Sequence, residues 1–234
     1  MLSAYFFAMY IDDIVKIVQR SKIGCCIGTL FVNIFLYADD IVLLAPSTDA
    51  LQNLLTLCEK HLAYLDMALN AKKSTCIRFG RHFKDECRPI ITASGESLCW
   101  VSSCRYLGVT LIEAKYFKIS VSGNKRSFYK SFNSIYGKIG RRTSEDVVIK
   151  LVVSKCIPVF TYGLDACPLL KSDLRSMDFV FVRSLMRVFN TNSIDIINHC
   201  LSSFHLSKPS AIVSNLKLRF LQRYIIVAVR DRGA

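Results

Sequence analysis

The sequence predicts an α+β first half, an antiparallel sheet with packed helices, followed by an all-α second half. Three observations predict it. Up to about residue 114, short runs rich in β-branched and aromatic residues alternate with turn residues, as in FVNIFLYADDIVLLA over Phe31 to Ala45. Within that half, Leu51, Leu54, Leu55, Cys58, Leu62, Leu65 and Leu69 recur at spacings of three and four, the stripe of an amphipathic helix. Beyond Glu113 the apolar residues keep helical spacing while Lys and Arg fill the positions between them.

At 234 residues the chain is long enough to bury a sizeable core. Its net charge of +13 is one-sided: residues 1–114 hold eleven Lys/Arg and eleven Asp/Glu, whereas residues 115–234 hold twenty and seven. A basic module of this kind suits a phosphate backbone, although an ordinary solvated basic surface has the same composition. Mean hydropathy is +0.32, so a membrane span has to be considered. The best stretch, Ile23 to Ala38, lies between Lys22 and Asp39 and contains Asn33 and two glycines. It falls short of the ~20 residues a bilayer requires, and no membrane partner is expected. No secretion signal opens the chain. The ten cysteines form no CxxC pair, and His61, His82, His199 and His205 make no ligand-spaced cluster with them. They read as reduced, mostly buried thiols of an intracellular protein.

Taken in order, Phe6, Met9, Tyr10, Ile14, Ile17 and Val18 predict a first helix over residues 1–20, with Ser3 as its N-cap. Asp12 and Asp13 are adjacent on that helix, so they point apart and belong to its polar face. Ile23–Ile27 reads as a short strand. Ile34–Tyr37 and Ile41–Ala45 then form a hairpin whose tight reversal, Ala38–Asp40, carries two acids. The leucine helix follows, capped by Ser47 or Thr48 with Asp49 in its first turn. Thr75–Phe79 reads as a strand, Arg81–Ser97 as a loop around Pro89–Thr92, and Ser97–Val101 with Cys104–Leu111 as paired strands. In the second half, Phe117, Val121, Phe128, Phe132, Ile135, Tyr136 and Ile139 face a core, with Lys118, Lys125, Arg126, Lys130 and Lys138 outward. Gly140-Arg141-Arg142 breaks that run. A helix over about 147–156 is interrupted by Pro158, another starts at Ser172-Asp173 with Arg175, Arg183 and Arg187 outward, and Leu216–Val229 is the better of two helical runs in the tail.

Asp39 and Asp40 are the candidates for chemistry. Two carboxylates at the tip of a buried hairpin are costly unless something positive neutralises them. A hard divalent cation such as Mg²⁺, or Mn²⁺, does so, because it takes oxygen ligands and is held by one or two carboxylates plus substrate phosphates. A solvated turn is the plain alternative, Asp being a common turn residue.

Tyr37-Ala38-Asp39-Asp40, followed by Ile41 to Ala45, resembles the catalytic hairpin (motif C) of reverse transcriptases, in particular the non-LTR (LINE-type) retrotransposon branch. The first helix resembles the one after motif B, with Ser3-Ala4 where the family has Ser-Pro. Asn70 to Ser74 resembles motif D, and Arg105-Tyr106-Leu107-Gly108-Val109 resembles motif E, the primer grip. Pro158 to Tyr162-Gly163 loosely matches a segment of the family's thumb and connector. The resemblance implies a partial polymerase palm over 1–114, a helical basic thumb over 115–190 and a helical tail of unassigned role over 191–234. It implies an RNA-directed DNA polymerase, a nucleotidyltransferase with RNA template, DNA primer and dNTP as partners. Asp39 and Asp40 would hold the metal, Lys73 would assist pyrophosphate departure, and Tyr106, Leu107 and Gly108 would seat the primer end. Lys73 is equally explained as a helix C-terminal cation complementing the dipole. Lys125, Arg126, Lys130, Lys138, Arg141 and Arg142 are the candidate backbone contacts.

The family's further aspartate on an earlier strand and its fingers have no counterpart after Met1. The expectation is therefore the latter half of a polymerase, inactive alone, found in nucleus and cytoplasm as a ribonucleoprotein. A non-catalytic nucleic-acid-binding remnant of a retroelement is the alternative, and an unrelated structural or membrane-associated protein the third.

Overall fold

The computed structural model describes residues 2–28, 30–139 and 142–230. They fall into two compact units, 1–102 and 103–234. The charge asymmetry follows the same division: residues 1–102 carry equal numbers of cations and anions, and the whole excess lies in 103–234.

The first unit is built on helices α1 (Leu2–Arg20) and α2 (Thr48–Tyr64), each with an apolar stripe. Helix α1 buries Ile11, Ile14 and Val18, spaced three and four apart. Phe6, Met9 and Tyr10, which share the helical periodicity, lie on its exposed side. Ser3 falls inside the helix instead of capping it, because the helix already begins at Leu2. Asp12 and Asp13 are on the polar face, paired with Lys16 at 2.7 and 3.5 Å. Helix α2 begins at Ser47, whose hydroxyl accepts the Ala50 N–H. Its buried residues Leu54, Cys58 and Leu62 pack with α1 and with Ile34 of a hairpin, strands β3 (Ile34–Tyr37) and β4 (Asp40–Leu43). Leu55, one position round the helix, joins a second core with Cys76, Ile90 and Leu98. Those residues belong to β5 (Thr75–Cys76), β6 (Ile90–Ile91) and β7 (Ser97–Trp100), in the order β5-β7-β6. The β5–β7 pairing is parallel and the β6–β7 pairing antiparallel. Gln52 of α2 completes the free edge of β6, its amide exchanging bonds of 2.7 and 2.8 Å with the Ile91 carbonyl and N–H.

A short hairpin, β1 (Cys25–Ile27) and β2 (Leu30–Val32), leads into β3. Asn33, between β2 and β3, is 1% exposed. Its side-chain amide donates to the Val18 carbonyl at 2.8 Å and the Ile23 carbonyl at 2.9 Å, so it satisfies an end carbonyl of α1 while tying that helix to the hairpin.

In the second unit, β8 (Ser103–Tyr106), β9 (Val109–Ile112) and β10 (Lys118–Ser120) form an antiparallel sheet in the order β10-β9-β8. Lys118–Ser120 is therefore strand, where the sequence suggested helix. Its pairing with Thr110, Leu111 and Ile112 overrides a weak helical pattern. The helices are α3 (Ser122–Ile139), α4 (Glu145–Leu151), α5 (Ile157–Thr161), α6 (Lys171–Val188), α7 (Ile194–Ser203) and α8 (Pro209–Arg230). Pro158 does not interrupt its helix: it occupies the first turn of α5, and a π-helical segment, Val152–Cys156, joins α4 to α5. The core is aromatic at its centre, where Phe128 lies 4.5 Å from Phe160 by ring centroids and 6.1 Å from Phe132. Met177, Phe181 and Leu185 of α6, Ile197 of α7 and Val213 of α8 close it.

All ten cysteines are free thiols, but only Cys58, Cys76, Cys156 and Cys167 are buried. Burial pushes the Cys58 thiol up to about 12 and that of Cys76 up to about 11. Among the described residues no helix is long and apolar enough to cross a membrane.

Candidate catalytic hairpin and basic surface

Strand alternation fixes which side chains of the β3–β4 hairpin meet the core. The cross-strand pairs Ile34↔Leu43 and Leu36↔Ile41 share one face, which packs against α1 and α2. Phe35↔Val42 and Tyr37↔Asp40 share the other. Asp40 therefore opens β4 on the outward face, beside Tyr37, while Asp39 sits in the two-residue turn Ala38–Asp39. Only Asp40 of the two acids is bound by strand geometry. Both are exposed, and among the described residues neither carboxylate has a hydrogen bond or an ion pair. Asp12 and Asp13 differ in that respect, because Lys16 neutralises them.

The turn carries strain. Ala38 has φ of 52°, a left-handed conformation that costs an L-residue with a Cβ about 1–2 kcal/mol. Hairpin turns that need positive φ use Gly or Asn there. The hairpin is buried only on its inner face, and this outlier lies at its exposed tip, next to two unpaired acids, where backbone strain is a mark of functional positions.

The donor set at the tip is two carboxylates, hard oxygen ligands suited to Mg²⁺ or Mn²⁺. Among the described residues no group of three or more His, Cys, Asp or Glu side chains is placed to hold a metal. Two carboxylates alone are an incomplete ligand set for such a cation.

Lys73, also in the first unit, is exposed in the turn after α2. Its N–H donates to the Asn70 carbonyl at 3.1 Å and to the Asn70 Oδ1 at 3.2 Å, so Asn70 shapes the turn that presents it.

Tyr106, Leu107 and Gly108 lie in the second unit, at the β8–β9 hairpin. Leu107 and Gly108 have φ of 46° and 83°, the pair of positive values a type I′ turn requires. Gly108 is needed twice over, since a Cβ there would also sit 2.9 Å from Cε1 of Tyr162. Gly163 faces the same hairpin: a Cβ on it would come within 2.6 Å of Val109 Cγ2. The Tyr-Gly segment after α5 and the primer-grip-like hairpin, far apart in sequence, thus pack on each other. Asn124 secures the segment by donating to the Phe160 and Tyr162 carbonyls at 3.1 and 3.0 Å. A groove of about 550 Å³ runs here, with Arg105, Arg126 and Tyr162 in its lining. Sequence reading missed Tyr162 as a partner of Gly108. The Tyr162-Gly163 pair is the only local signal the sequence offers for it.

Of the candidate backbone contacts, Arg126, Lys130, Lys138 and Arg142 are exposed. Lys125 turns inward by comparison, half-buried with its Nζ 3.5 Å from Ser176 Oγ of α6. Arg141 lies outside the described residues.

Residues 1–111 match the family model described as reverse transcriptase (RNA-dependent DNA polymerase). No curated protein matches the chain. The matched stretch runs from α1 into β9, so it contains Asp39, Asp40, Lys73 and Tyr106–Gly108. Over just under half of its length, then, this chain is similar to the reverse transcriptase family, within a mixed α+β fold.

Proposed function

We propose that the chain is part of the RNA-directed DNA polymerase of a non-LTR (LINE-type) retroelement. The observation that carries this is the unpaired Asp39–Asp40 tip on a strained hairpin, lying inside the reverse-transcriptase-like stretch. In this reading Asp39 and Asp40 ligate Mg²⁺ or Mn²⁺, Asp39 the more directly because it stands free of the ladder. A divalent cation bound there supplies the charge neutralisation that phosphoryl transfer needs. Lys73 supplies positive charge, or a proton, to the departing pyrophosphate. The Tyr106–Gly108 turn seats the primer's 3′ end, its glycine allowing close backbone approach. Arg126, Lys130, Lys138, Arg141 and Arg142, with Lys125, track the template–primer backbone. The host compartment is intracellular, nucleus and cytoplasm, as a ribonucleoprotein.

Among the described residues no third acid is grouped with Asp39 and Asp40, and this favours a second reading, a nucleic-acid-binding remnant without polymerase activity. Both readings predict that the chain alone does not extend a primer. They separate on cation binding. Tyr37 is the cross-strand neighbour of Asp40, so Tb³⁺ held at the tip is excited through its ring. Titration of the chain should give tyrosine-sensitised emission with a dissociation constant on the order of 10⁻⁴–10⁻³ M, the weak end for oxygen sites. Asp39→Asn and Asp40→Asn should each weaken it at least tenfold, and Tyr37→Phe should dim the emission without shifting the midpoint. Unchanged titrations of both Asp variants would remove the metal assignment.

A further inference from the structure

The ends of α3 and α6 frame a groove of about 870 Å³ within the second unit. Lys138, Arg142, Arg183 and Arg187 line it, and among the described residues its lining holds no Asp or Glu. All four cations are exposed, and none is in an ion pair among the described residues.

Cations near helix C-termini have an ordinary explanation, since each terminus carries about half a negative charge. Two such ends account for about one of the four positive charges. Even that is an upper figure, because the end carbonyls are already engaged. The Ile139 carbonyl of α3 accepts from the Arg142 N–H at 2.9 Å and from the Thr143 hydroxyl at 2.8 Å. At the end of α6, Asn190 adopts φ of 47° and Thr191 N–H returns to the Met186 carbonyl at 3.0 Å, a glycine-like C-cap made with Asn. The Arg187 carbonyl accepts from the Tyr136 hydroxyl at 2.9 Å. The groove therefore holds an uncompensated positive charge.

It is also organised in advance. The Arg187 guanidinium lies over the Tyr136 ring, 4.9 Å from its centroid, and donates through Nη1 to Asn133 Oδ1 at 3.1 Å. Only one of its five N–H donors is used in that bond, and the exposed guanidinium is already held by its ring and amide contacts, which lowers the entropic cost of gripping an anion. Asn190 and Asn192 add exposed amides beside the cations.

We propose that this groove seats the sugar–phosphate backbone of a nucleic-acid strand, with Arg183 and Arg187 as its principal anchors and Lys138 and Arg142 opposite them. The proposal rests on the nucleic-acid reading above and deepens it, by selecting one groove from a broadly basic surface and adding residues of α6. A strand crossing it places consecutive phosphates on the two helix ends. The amides reach sugar hydroxyls or base edges.

The test is fluorescence anisotropy of the full chain with a fluorescein-labelled 20-nucleotide single strand, in EDTA, from 50 to 250 mM KCl. Each phosphate contact on a single strand contributes about 0.7 to the slope of log K against log salt. Arg183→Gln and Lys138→Gln should each lower the slope by about 0.7. The double variant Arg183→Gln/Arg187→Gln should lower it by about 1.4 and weaken binding about 25-fold at 0.1 M. Arg219→Gln/Arg223→Gln, two exposed cations on α8, should leave the slope unchanged. Thermal unfolding of each variant guards against loss of fold through the Arg187–Tyr136 contact, and Arg183→Gln does not touch that contact. RNA and DNA strands giving the same slope changes would identify the phosphodiester as the ligand. An equal loss in the α8 control, an unchanged slope in Arg183→Gln and Lys138→Gln, or no binding by the native chain at 50 mM salt would each overturn the proposal. Because EDTA removes divalent cations, a negative result here leaves the Asp39–Asp40 assignment intact, and failure of the Tb³⁺ titration leaves the groove intact.

Discussion

Replacing Gly24 with alanine tests how rigidly the acid-tipped hairpin is held. Gly24 has φ of 130°, a region that residues with a Cβ rarely enter. An added Cβ would lie 2.4 Å from the Cβ of Asn33 and 3.0 Å from the Leu44 carbonyl oxygen. Ordinary carbon–carbon contact is about 3.5–4.0 Å, so Asn33 would have to retreat by roughly 1 Å. It cannot do so without loss, being buried and held by bonds to the Val18 and Ile23 carbonyls, while its own carbonyl accepts the Leu44 N–H at 2.8 Å. Breaking two of these bonds costs about 2 kcal/mol, and the forced backbone about 1–3 kcal/mol more. The expected loss is therefore about 3–5 kcal/mol. Gly28→Ala is the matched control: its φ of 63° is also left-handed, but nothing lies within 4 Å of the added Cβ, so it should cost about 1 kcal/mol. Urea unfolding followed by tryptophan fluorescence reports on the right unit, because Trp100, the single tryptophan, lies in β7. If Gly24→Ala and Gly28→Ala shift the midpoint equally, the close packing of Gly24 on Asn33 is not what fixes the hairpin.

Further outcomes follow from the same geometry. Leu107→Asn converts the second hairpin's turn to Asn-Gly, the preferred type I′ pair, and should raise the thermal midpoint seen by far-ultraviolet circular dichroism, by about 1 kcal/mol of added stability. A lowered midpoint would show that the Leu107 side chain contributes more than its backbone strain removes. Asp12→Asn and Asp13→Asn should leave the Tb³⁺ titration unmoved, since Lys16 occupies both acids; a loss like that of Asp39→Asn would mean the cation binds on α1. The raised Cys58 and Cys76 thiols favour the folded state below the unfolded value of 9. As pH climbs from about 9, through a window that closes near 11 for Cys76 and near 12 for Cys58, the unfolded chain loses those protons first, so stability should fall by up to about 1.4 kcal/mol per pH unit for each thiol within its window. Cys58→Ala should lessen that slope in urea midpoints measured between pH 8 and 11, and an unaltered slope would refute the burial argument.

Much of the first unit is legible in the sequence because its signals are local. The leucine stripe of α2, a cap at Ser47 or Thr48 and the alternation through Ile34–Leu43 each need only a few neighbouring residues; the structure has the cap at Ser47, the alternation, and the stripe as far as Leu62, with α2 ending at Tyr64 short of Leu65 and Leu69. What was not legible depends on contacts across the chain. Helix α1 has apolar residues on more than one face, and only packing selects Ile11, Ile14 and Val18 over Phe6, Met9 and Tyr10. Lys118–Ser120 becomes strand through its partner β9, and Pro158 is accommodated by a π-helical segment that no propensity scale anticipates. The acids at 39 and 40 are visible in one line of sequence. The groove at the helix ends is not, because Lys138 and Arg187 meet only when α3 and α6 have folded together.

The division of charge bears on how such a chain would work with a polyanion. The first unit is neutral and presents two bare carboxylates, which repel phosphate unless a cation intervenes. The second carries the entire +13. Electrostatic attraction to a nucleic-acid strand therefore belongs to the second unit and is independent of divalent metal, whereas any phosphate approach to Asp39 and Asp40 requires it. Raising Mg²⁺ should then have opposite effects on the two units. Above a few millimolar it competes with Lys and Arg for the backbone and weakens strand binding, while it is the condition for a nucleotide phosphate to reach the hairpin. Measured with the labelled strand, the affinity of the native chain should fall steadily from EDTA to 10 mM Mg²⁺, and Asp39→Asn should leave that fall unchanged. A rise in affinity with Mg²⁺ that Asp39→Asn abolishes would show instead that the carboxylates take part in holding the strand, and would join the two functions that the charge pattern separates.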